Sequence, residues 1–362
     1  MSNPPKDFSD LPRDLVEEVL SKVPVTYLRR VRSTCKKWNT LSRCRSFGEA
    51  PCSSKSSCSK GKGVYGGTLI CPDASDQIYV RQVFHCDGLV LCILKDNPRL
   101  VVFNLYCGQP RWIEATYSTY QRLENYCYAL GYNSSTKSHK ILRLIMTSCD
   151  LLPEFEIYDF NSNSWRLLDV TGDWRIDSYS RGVSLKGNTY WFAQNMDSAT
   201  LGQVGHSFLL YFDFTRETFG PRLPLPFELL PQDSVTLSNV RDEQLAVLFQ
   251  PDDTLQMEIW VTTKIEPNSV SWSSKFFLSV DMKVLTASDE FKFSYLASSF
   301  FIDEEKKVAV VFDKSKDRNM TRNTAYIIGE DRSLKEVDLG ESPNQFIPPF
   351  VCSYVPSSMQ LE

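Results

Sequence analysis

The first 50 residues carry apolar positions at helical spacing. Pro12 lies in the first turn of the first predicted helix, a position that tolerates proline, and Pro24 ends that helix. The apolar stripe between them consists of Leu15, Val16, Val19, Leu20 and Val23. Thr26 can cap a second helix, and Trp38 lies on one face of a third. We therefore predict a three-helix module over residues 8–47. A segment of about 40 residues barely buries a core of its own, so we expect a partner to cover its apolar face.

From residue 64 onward the pattern changes to that of strands. β-branched and aromatic residues alternate with polar ones, and turn residues interrupt them at short intervals. The clearest unit, residues 126–169, predicts four antiparallel strands in succession. The same pattern recurs in four further units, which are residues 82–115, 181–226, 234–280 and 293–339.

A large aromatic residue marks the last predicted strand in four of these units. Trp112, Trp165, Phe219 and Trp272 are 53, 54 and 53 residues apart. A regular period of this size is typical of propeller blades and disfavours a β-sandwich. We predict an all-β, β-propeller-like domain over residues 64–355, with five clear four-stranded units. Residues 65–79 and 346–355 would supply a sixth between them. We expect Trp112, Trp165, Trp191, Trp260 and Trp272 to be core residues.

Composition divides the chain in two. Residues 1–62 hold 13 Lys and Arg against 6 Asp and Glu, a net charge of +7, and the other residues hold 27 against 38, a net charge of −11. Residues 48–63 are rich in Ser, Lys and Gly and predict a flexible tether. The acidic second part argues against nucleic acid as a partner.

Composition also argues against membranes, metals and catalysis. The longest apolar run near Gly88, Leu89–Leu94, is far shorter than a membrane span. Seven of the first twenty residues are charged, which disfavours a signal peptide. We therefore expect a cytoplasmic and/or nuclear protein. A zinc site at Cys52, Cys58 and Cys71 is disfavoured, because the 11 cysteines form no CxxC pair and only three histidines exist. His85 and Cys86 are neighbours in a strand and point to opposite faces, so they cannot share a proton. We predict neither a cofactor nor an enzymatic activity.

Two runs near the N-terminus resemble the F-box. They are LPRDLVEEVLSKVPV at residues 11–25 and LRRVRSTCKKW at residues 28–38, with Val23 and Thr34 departing from the usual Leu and Val. The resemblance implies docking onto a Skp-family adaptor and, through it, a cullin-based ubiquitin ligase. Eight basic and no acidic residues lie between Val19 and Gly48, which suits an acidic adaptor. The residues expected to bind the adaptor are Leu11, Pro12, Leu15, Val19, Leu20, Val23, Pro24, Leu28, Val31, Cys35 and Trp38.

The second part of the chain resembles the plant F-box-associated interaction domain of type one. The matching stretches are VFHCDGLVLC at 83–92, ALGY at 129–132, GVSLKGNTYW at 182–191, FDFT at 212–215, PLP at 224–226 and EIWVTTKI at 258–265. This resemblance implies a propeller-like domain that recruits a protein substrate and brings no catalytic residues with it.

The loops between units are the predicted place for that substrate, because aromatic and arginine side chains on loops of a rigid scaffold dominate binding energetics. In loops 116–125 and 171–180 the candidates are Tyr117, Tyr120, Arg122, Trp174, Arg175 and Tyr179. We interpret the chain as the substrate-recognition subunit of a Skp–cullin–F-box ubiquitin ligase with an unidentified protein target. An interaction protein without ligase coupling and a glycan-binding propeller remain alternatives.

Overall fold

The computed structural model describes residues 68–70, 77–94, 99–104, 110–115, 126–145, 154–177, 180–195, 206–230, 232–241, 243–294, 298–316 and 322–341. The predicted helical module, 8–47, and the tether, 48–63, lie outside them. The described chain divides between two compact units, one containing the first sheet and one containing the other four sheets.

The first sheet has five antiparallel strands in chain order. They are β1 (Thr68–Ile70), β2 (Gln77–Cys86), β3 (Leu89–Leu94), β4 (Arg99–Asn104) and β5 (Pro110–Glu114). Asp87 and Gly88 both have positive φ and close the tight turn between β2 and β3. Strand β2 pairs with β1 up to Tyr79 and with β3 from Val80 onward. The described part of segment 65–79 is therefore joined to the first sheet, which corrects the prediction that it contributes to a separate sixth unit; residues 346–355 lie outside the described residues.

The second unit contains four antiparallel sheets, in which the strands follow one another in sequence order along the sheet. The second sheet has β6 (Tyr126–Tyr132), β7 (His139–Ile145), β8 (Glu154–Asp159) and β9 (Ser164–Leu168). The third has β10 (Trp174–Ile176), β11 (Val183–Leu185), β12 (Asn188–Asn195), β13 (Ser207–Asp213) and β14 (Thr218–Phe219). The fourth has β15 (Ser234–Val240), β16 (Gln244–Gln250), β17 (Gln256–Glu266), β18 (Ser269–Trp272) and β19 (Leu278–Asp281). The fifth has β20 (Ser299–Asp303), β21 (Val308–Lys314), β22 (Arg322–Gly329) and β23 (Leu334–Glu341).

The five predicted units are thus confirmed, with two additions. In the third sheet, β10 and β11 both pair with β12, so the first strand of this sheet is interrupted. In the fourth sheet, β19 adds a further strand on β17, and a short helix, α1 (Met282–Thr286), follows it with Asp281 as its N-cap.

The inner strands of the third sheet are apolar on both faces because this sheet packs between the second sheet and the fourth. On β12, Trp191 and Ala193 join a core cluster with residues of the second sheet. Tyr190 and Phe192, on the other face of β12, join a cluster with residues of the fourth sheet. Burial of both faces explains why these strands are nearly continuous apolar runs.

Side-chain hydroxyls join the first strands of the fourth and fifth sheets. Ser234 Oγ donates to the carbonyl of Phe293 at 2.7 Å, and Ser238 Oγ donates to that of Phe300 at 2.6 Å. Between them, the Thr236 hydroxyl donates to the carbonyl of Ser298 at 2.9 Å. Alternate residues of one strand therefore satisfy carbonyl groups of the next sheet.

The regularly spaced aromatics occupy equivalent positions but are only partly buried, and Phe219 and Trp272 pack against core clusters. Trp112, Trp165, Phe219 and Trp272 lie on β5, β9, β14 and β18, the last strand in the order of each sheet, and all four are only half-buried. An edge strand lacks a neighbour on one side, so the ring keeps a solvated edge. The prediction of a core position is confirmed for Trp191, which is 0% exposed, and in part for Trp272, which packs against a core cluster. It is wrong for the half-buried Trp112, Trp165 and Trp260.

Candidate functional site

The chain passes from one sheet of the second unit to the next at one end of the sheets. We call this end the connection end. Around the fourth sheet its described residues are 220–230, 232–233, 251–255, 281–294 and 298. Asp233 and Asp252 lie together here, since the Asp252 backbone N–H donates to Asp233 Oδ1 at 2.9 Å.

Most of the predicted site residues cannot be placed. The eleven residues predicted to bind the adaptor lie in the segment from Leu11 to Trp38, outside the described residues. Tyr117, Tyr120, Arg122 and Tyr179 also lie outside them. These assignments stay predictions, and only Trp174 and Arg175 have a described position.

Trp174 is a core residue and not an exposed loop residue. The predicted loop 171–180 contains strand β10, in which Trp174 and Ile176 are buried and Arg175 is exposed. The Trp174 ring centroid lies 4.4 Å from that of Phe219 and 5.9 Å from that of Phe155. The expectation of an exposed Trp174 is therefore wrong, because pairing with β12 orders this segment and turns the indole into the core. Arg175 faces solvent and remains a candidate.

A buried carboxylate fixes the connection between the third and fourth sheets. Asp233, immediately before β15, accepts the Leu230 backbone N–H on Oδ2 at 2.8 Å and the Asp252 N–H on Oδ1. Burial raises the pKa of Asp233, and the nearby Asp253 raises it further. The first of these bonds holds Leu230 in place, with 48% of its surface exposed, and the second ties Asp233 to the turn after β16.

A buried amide fixes the connection between the fourth and fifth sheets. Gln250, the last residue of β16, donates from Nε2 to the Phe291 carbonyl at 2.9 Å and accepts the Phe293 N–H on Oε1 at 3.0 Å. Its side chain satisfies both groups of the passing backbone, as a partner strand would. The connection is thereby held against the end of the fourth sheet.

In the fifth sheet the equivalent contacts come from Asp313, near the end of β21. It accepts the Ser294 N–H at 2.7 Å and the Ser294 hydroxyl at 2.5 Å, and Lys316 pairs with it at 2.7 Å. The adjacent Lys314 is buried and donates to Asn323 Oδ1 at 3.1 Å, and burial lowers its pKa to about 8.

These polar anchors were not predicted from the sequence, although a signal for them exists. Gln250 and Asp313 each follow a run of apolar residues, at the point where a strand reaches its end. A single amide or carboxylate in that position is suited to bind a crossing loop. The anchors make the connection end a preorganised surface, which lowers the entropic cost of binding a partner.

The connection end carries an acidic surface in the fourth sheet. Glu228, Asp252, Asp253, Asp289 and Glu290 are exposed there. Two lysines partly offset them, since Lys283 pairs with Asp289 at 2.6 Å and Lys292 with Asp252. Leu230 and Val284 supply exposed apolar area between these charges. A partner with basic and apolar side chains would complement this surface.

The described residues contain no feature that points to catalysis. His85 is buried, and its Nε2 accepts the Gly88 backbone N–H at 3.2 Å in the turn after β2. Cys86, Cys92 and Cys127 are buried. Within the described ranges no group of three or more His, Cys, Asp or Glu could hold a metal ion, and no helix has the length and apolar character to cross a membrane.

Comparison with known proteins gives the same division of the chain. Residues 8–49 match the F-box domain, and residues 58–361 match the F-box associated beta propeller domain. A putative F-box protein of Arabidopsis thaliana is 51% identical over 97% of this chain and 98% of its own length. An F-box/kelch-repeat protein of the same plant is 50% identical over 98% of this chain and 99% of its own length. Among solved structures, TolB from Acinetobacter baumannii matches with a TM-score of 0.36 and 13% identity over 71% of this chain and 52% of that chain. On the strength of the two domain matches and the full-length relatives, the chain belongs to the F-box proteins that carry an F-box associated beta-propeller domain.

Proposed function

We propose that this protein is the substrate-recognition subunit of a Skp–cullin–F-box ubiquitin ligase. The observation that carries the proposal is the presence in one chain of an F-box, residues 8–49, and a beta-propeller domain, residues 58–361. The F-box binds a Skp-family adaptor, which in turn binds a cullin. The propeller domain binds a protein target, and the complex acts in the cytoplasm and/or the nucleus.

The connection end supports the second half of the proposal. Its loops are anchored by buried side chains of Asp233, Gln250 and Asp313, and it exposes acidic and apolar groups that a protein target can contact. Arg175 is exposed on β10. The other predicted loop residues are Tyr117, Tyr120, Arg122 and Tyr179. These residues are the proposed contacts with the target.

The mechanism is one of proximity, and the chain itself catalyses nothing. Binding of the target to the propeller domain and of the adaptor to the F-box places target lysines near the ubiquitin-charged enzyme. Reaction partners held in place react as if at high local concentration, which is the contribution that a receptor makes to the rate.

Co-purification of the full chain with a Skp-family adaptor tests the adaptor half. Replacing Leu11 and Pro12 with alanine should abolish co-purification, because buried anchors of an interface contribute about 2 kcal/mol or more each. Leu167→Ala is the matched control, since Leu167 is 68% exposed on β9. Wild-type adaptor yield from the double variant would refute the anchor assignment, and no adaptor binding by the wild-type chain would favour an interaction protein without ligase coupling.

Affinity purification with the proteasome inhibited tests the target half. Proteins retained by the wild-type chain should carry ubiquitin, and Tyr120→Ala combined with Arg122→Ala should lose them while adaptor binding persists. Retention of the same proteins by that variant, and their loss on altering the opposite-end turns at residues 133–138 and 161–164, would place the target at the other end of the sheets.

A further inference from the structure

The outer part of the fourth sheet carries an aromatic pair next to a carboxylate. The rings of Trp260, on β17, and Phe276, just before β19, meet edge to face with centroids 4.5 Å apart and planes at 83°. Phe276 is 40% exposed and Trp260 is half-buried. The indole N–H of Trp260 donates to Glu258 Oε2 at 3.1 Å, which fixes the carboxylate beside the rings.

The Glu258 carboxylate is partly removed from solvent. Burial raises its pKa, and only the hydrogen bond from Trp260 opposes the rise. No lysine or arginine of the described residues forms an ion pair with it. A half-buried carboxylate of this kind is stabilised by a cation that arrives with a ligand.

An apolar contact lies on the same face of the sheet. Phe249 on β16 pairs with Glu258 across the strands, and paired residues of antiparallel strands point to the same side. The Phe249 ring stacks on Phe227 with centroids 3.9 Å apart. Trp260, Glu258 and Phe249 therefore form a row in which a carboxylate lies between aromatic groups.

We propose that this row binds an arginine side chain of the target protein, with an apolar neighbour of that arginine lying toward Phe227 and Phe249. A guanidinium stacks on an aromatic face and donates to a carboxylate at the same time, whereas an ammonium group is a compact point charge, so arginine is favoured over lysine. The inference rests on the proposed function, since it describes the target of a substrate receptor. The net charge of −11 outside residues 1–62 is complementary to a basic segment.

Fluorescence anisotropy with labelled peptide pools tests the proposal on the full chain. Each pool has Ala, Gly and Ser at random flanking positions and a fixed centre of Arg-Leu, Lys-Leu or Gln-Leu. We expect the Arg-Leu pool to bind about tenfold more tightly than the Gln-Leu pool, with Lys-Leu between them. Glu258→Gln and Phe276→Ser should each remove this preference.

Two variants serve as matched controls. Glu266→Gln removes another carboxylate of β17, one that is exposed and pairs with Lys264 at 2.9 Å, and Lys275→Ser changes the exposed neighbour of Phe276. Both should keep the preference for arginine. Glu258→Gln conserves size and hydrogen bonding, so it decides the matter even if Phe276→Ser unfolds.

Three outcomes would overturn the proposal. The first is equal affinity for the Arg-Leu and Gln-Leu pools, and the second is a preference for arginine that survives Glu258→Gln. The third is displacement of the labelled peptide by spermidine or free arginine at the same concentration as by unlabelled peptide, which would indicate a small cation as the ligand. The assay contains no adaptor. A chain that binds no adaptor but prefers arginine therefore refutes the proposed function alone, and a chain that binds the adaptor without this preference refutes the present inference alone.

Discussion

Gly131, the last residue but one of β6, has no room for a side chain. A Cβ at this position would lie 2.5 Å from the carbonyl oxygen of Gly187 and would collide with the Phe214 ring. The Gly187 carbonyl cannot withdraw freely, because it accepts the Tyr132 N–H at 3.1 Å. Phe214 is 0% exposed and packs edge to face on Phe212. Gly131→Ala should therefore push the second and third sheets apart.

The expected cost follows from these contacts. Overpacking of a core costs about 1–3 kcal/mol, and the clash here involves backbone as well as a ring, which favours the upper end. Alanine also restricts the unfolded chain, which returns about 0.4–1 kcal/mol. We expect a net loss of about 2 kcal/mol in the free energy of unfolding.

Urea unfolding of the full chain, followed by tryptophan fluorescence, measures this loss as a lower midpoint at unchanged slope. Combining Gly131→Ala with Phe214→Leu should recover part of it, because the smaller side chain vacates the place that the Cβ needs. An unchanged midpoint for Gly131→Ala, or a double variant that is as unstable as the sum of the single variants, would refute the argument from close packing.

Three further predictions use the same assay. Trp191→Ala should cost about 3–5 kcal/mol because the Trp191 ring is fully buried. Trp165→Ala should cost only about 1–2 kcal/mol, since the half-buried Trp165 ring mainly covers the Arg143 guanidinium. Equal losses would contradict the assignment of Trp191 to the core and Trp165 to an edge strand. Ser238→Ala should cost about 1 kcal/mol by leaving the Phe300 carbonyl without its donor, and a neutral change would mean that the hydroxyl bond is dispensable. Glu258→Gln should be more stable than wild type at pH 7, because burial raises the folded-state pKa of Glu258 above the ordinary 4.5. This advantage should shrink as the pH falls toward 4.5, since the wild-type carboxyl then takes up a proton in the folded state. An advantage that stays constant between pH 7 and 4.5 would exclude a desolvated carboxylate.

Local pattern was sufficient to predict the order and number of the described sheets. Alternation of apolar residues and the turn residues between strands depend on near neighbours in the chain, and each of the five predicted units is a sheet in the structure. The spacing of Trp112, Trp165, Phe219 and Trp272 also indicated equivalent positions correctly, namely the last strand in four of the five sheets. A repeat of this kind is visible in the sequence because every unit places its turns at similar intervals.

Burial depended on partners far away in the sequence and was not predictable in the same way. Trp174 was expected in a loop, but pairing of β10 with residues 193–195 of β12 turns it into the core. Trp165 was expected in the core, but among the described strands β9 has a neighbour on one side only. Both residues are tryptophans, and the position of the strand in its sheet decides how exposed each side chain is.

The candidate binding surface shows the same limit. The F-box resemblance, the five units and the loops that connect them can be read from residues that are neighbours in the chain. Folding is needed to show that Asp233 holds Leu230 in place, that Gln250 binds the connection to the fifth sheet, and that Phe276, just before β19, packs on Trp260. The physical reason is that a polar group or ring acquires its role from the atoms packed against it, and those atoms come from segments that the chain brings together only on folding.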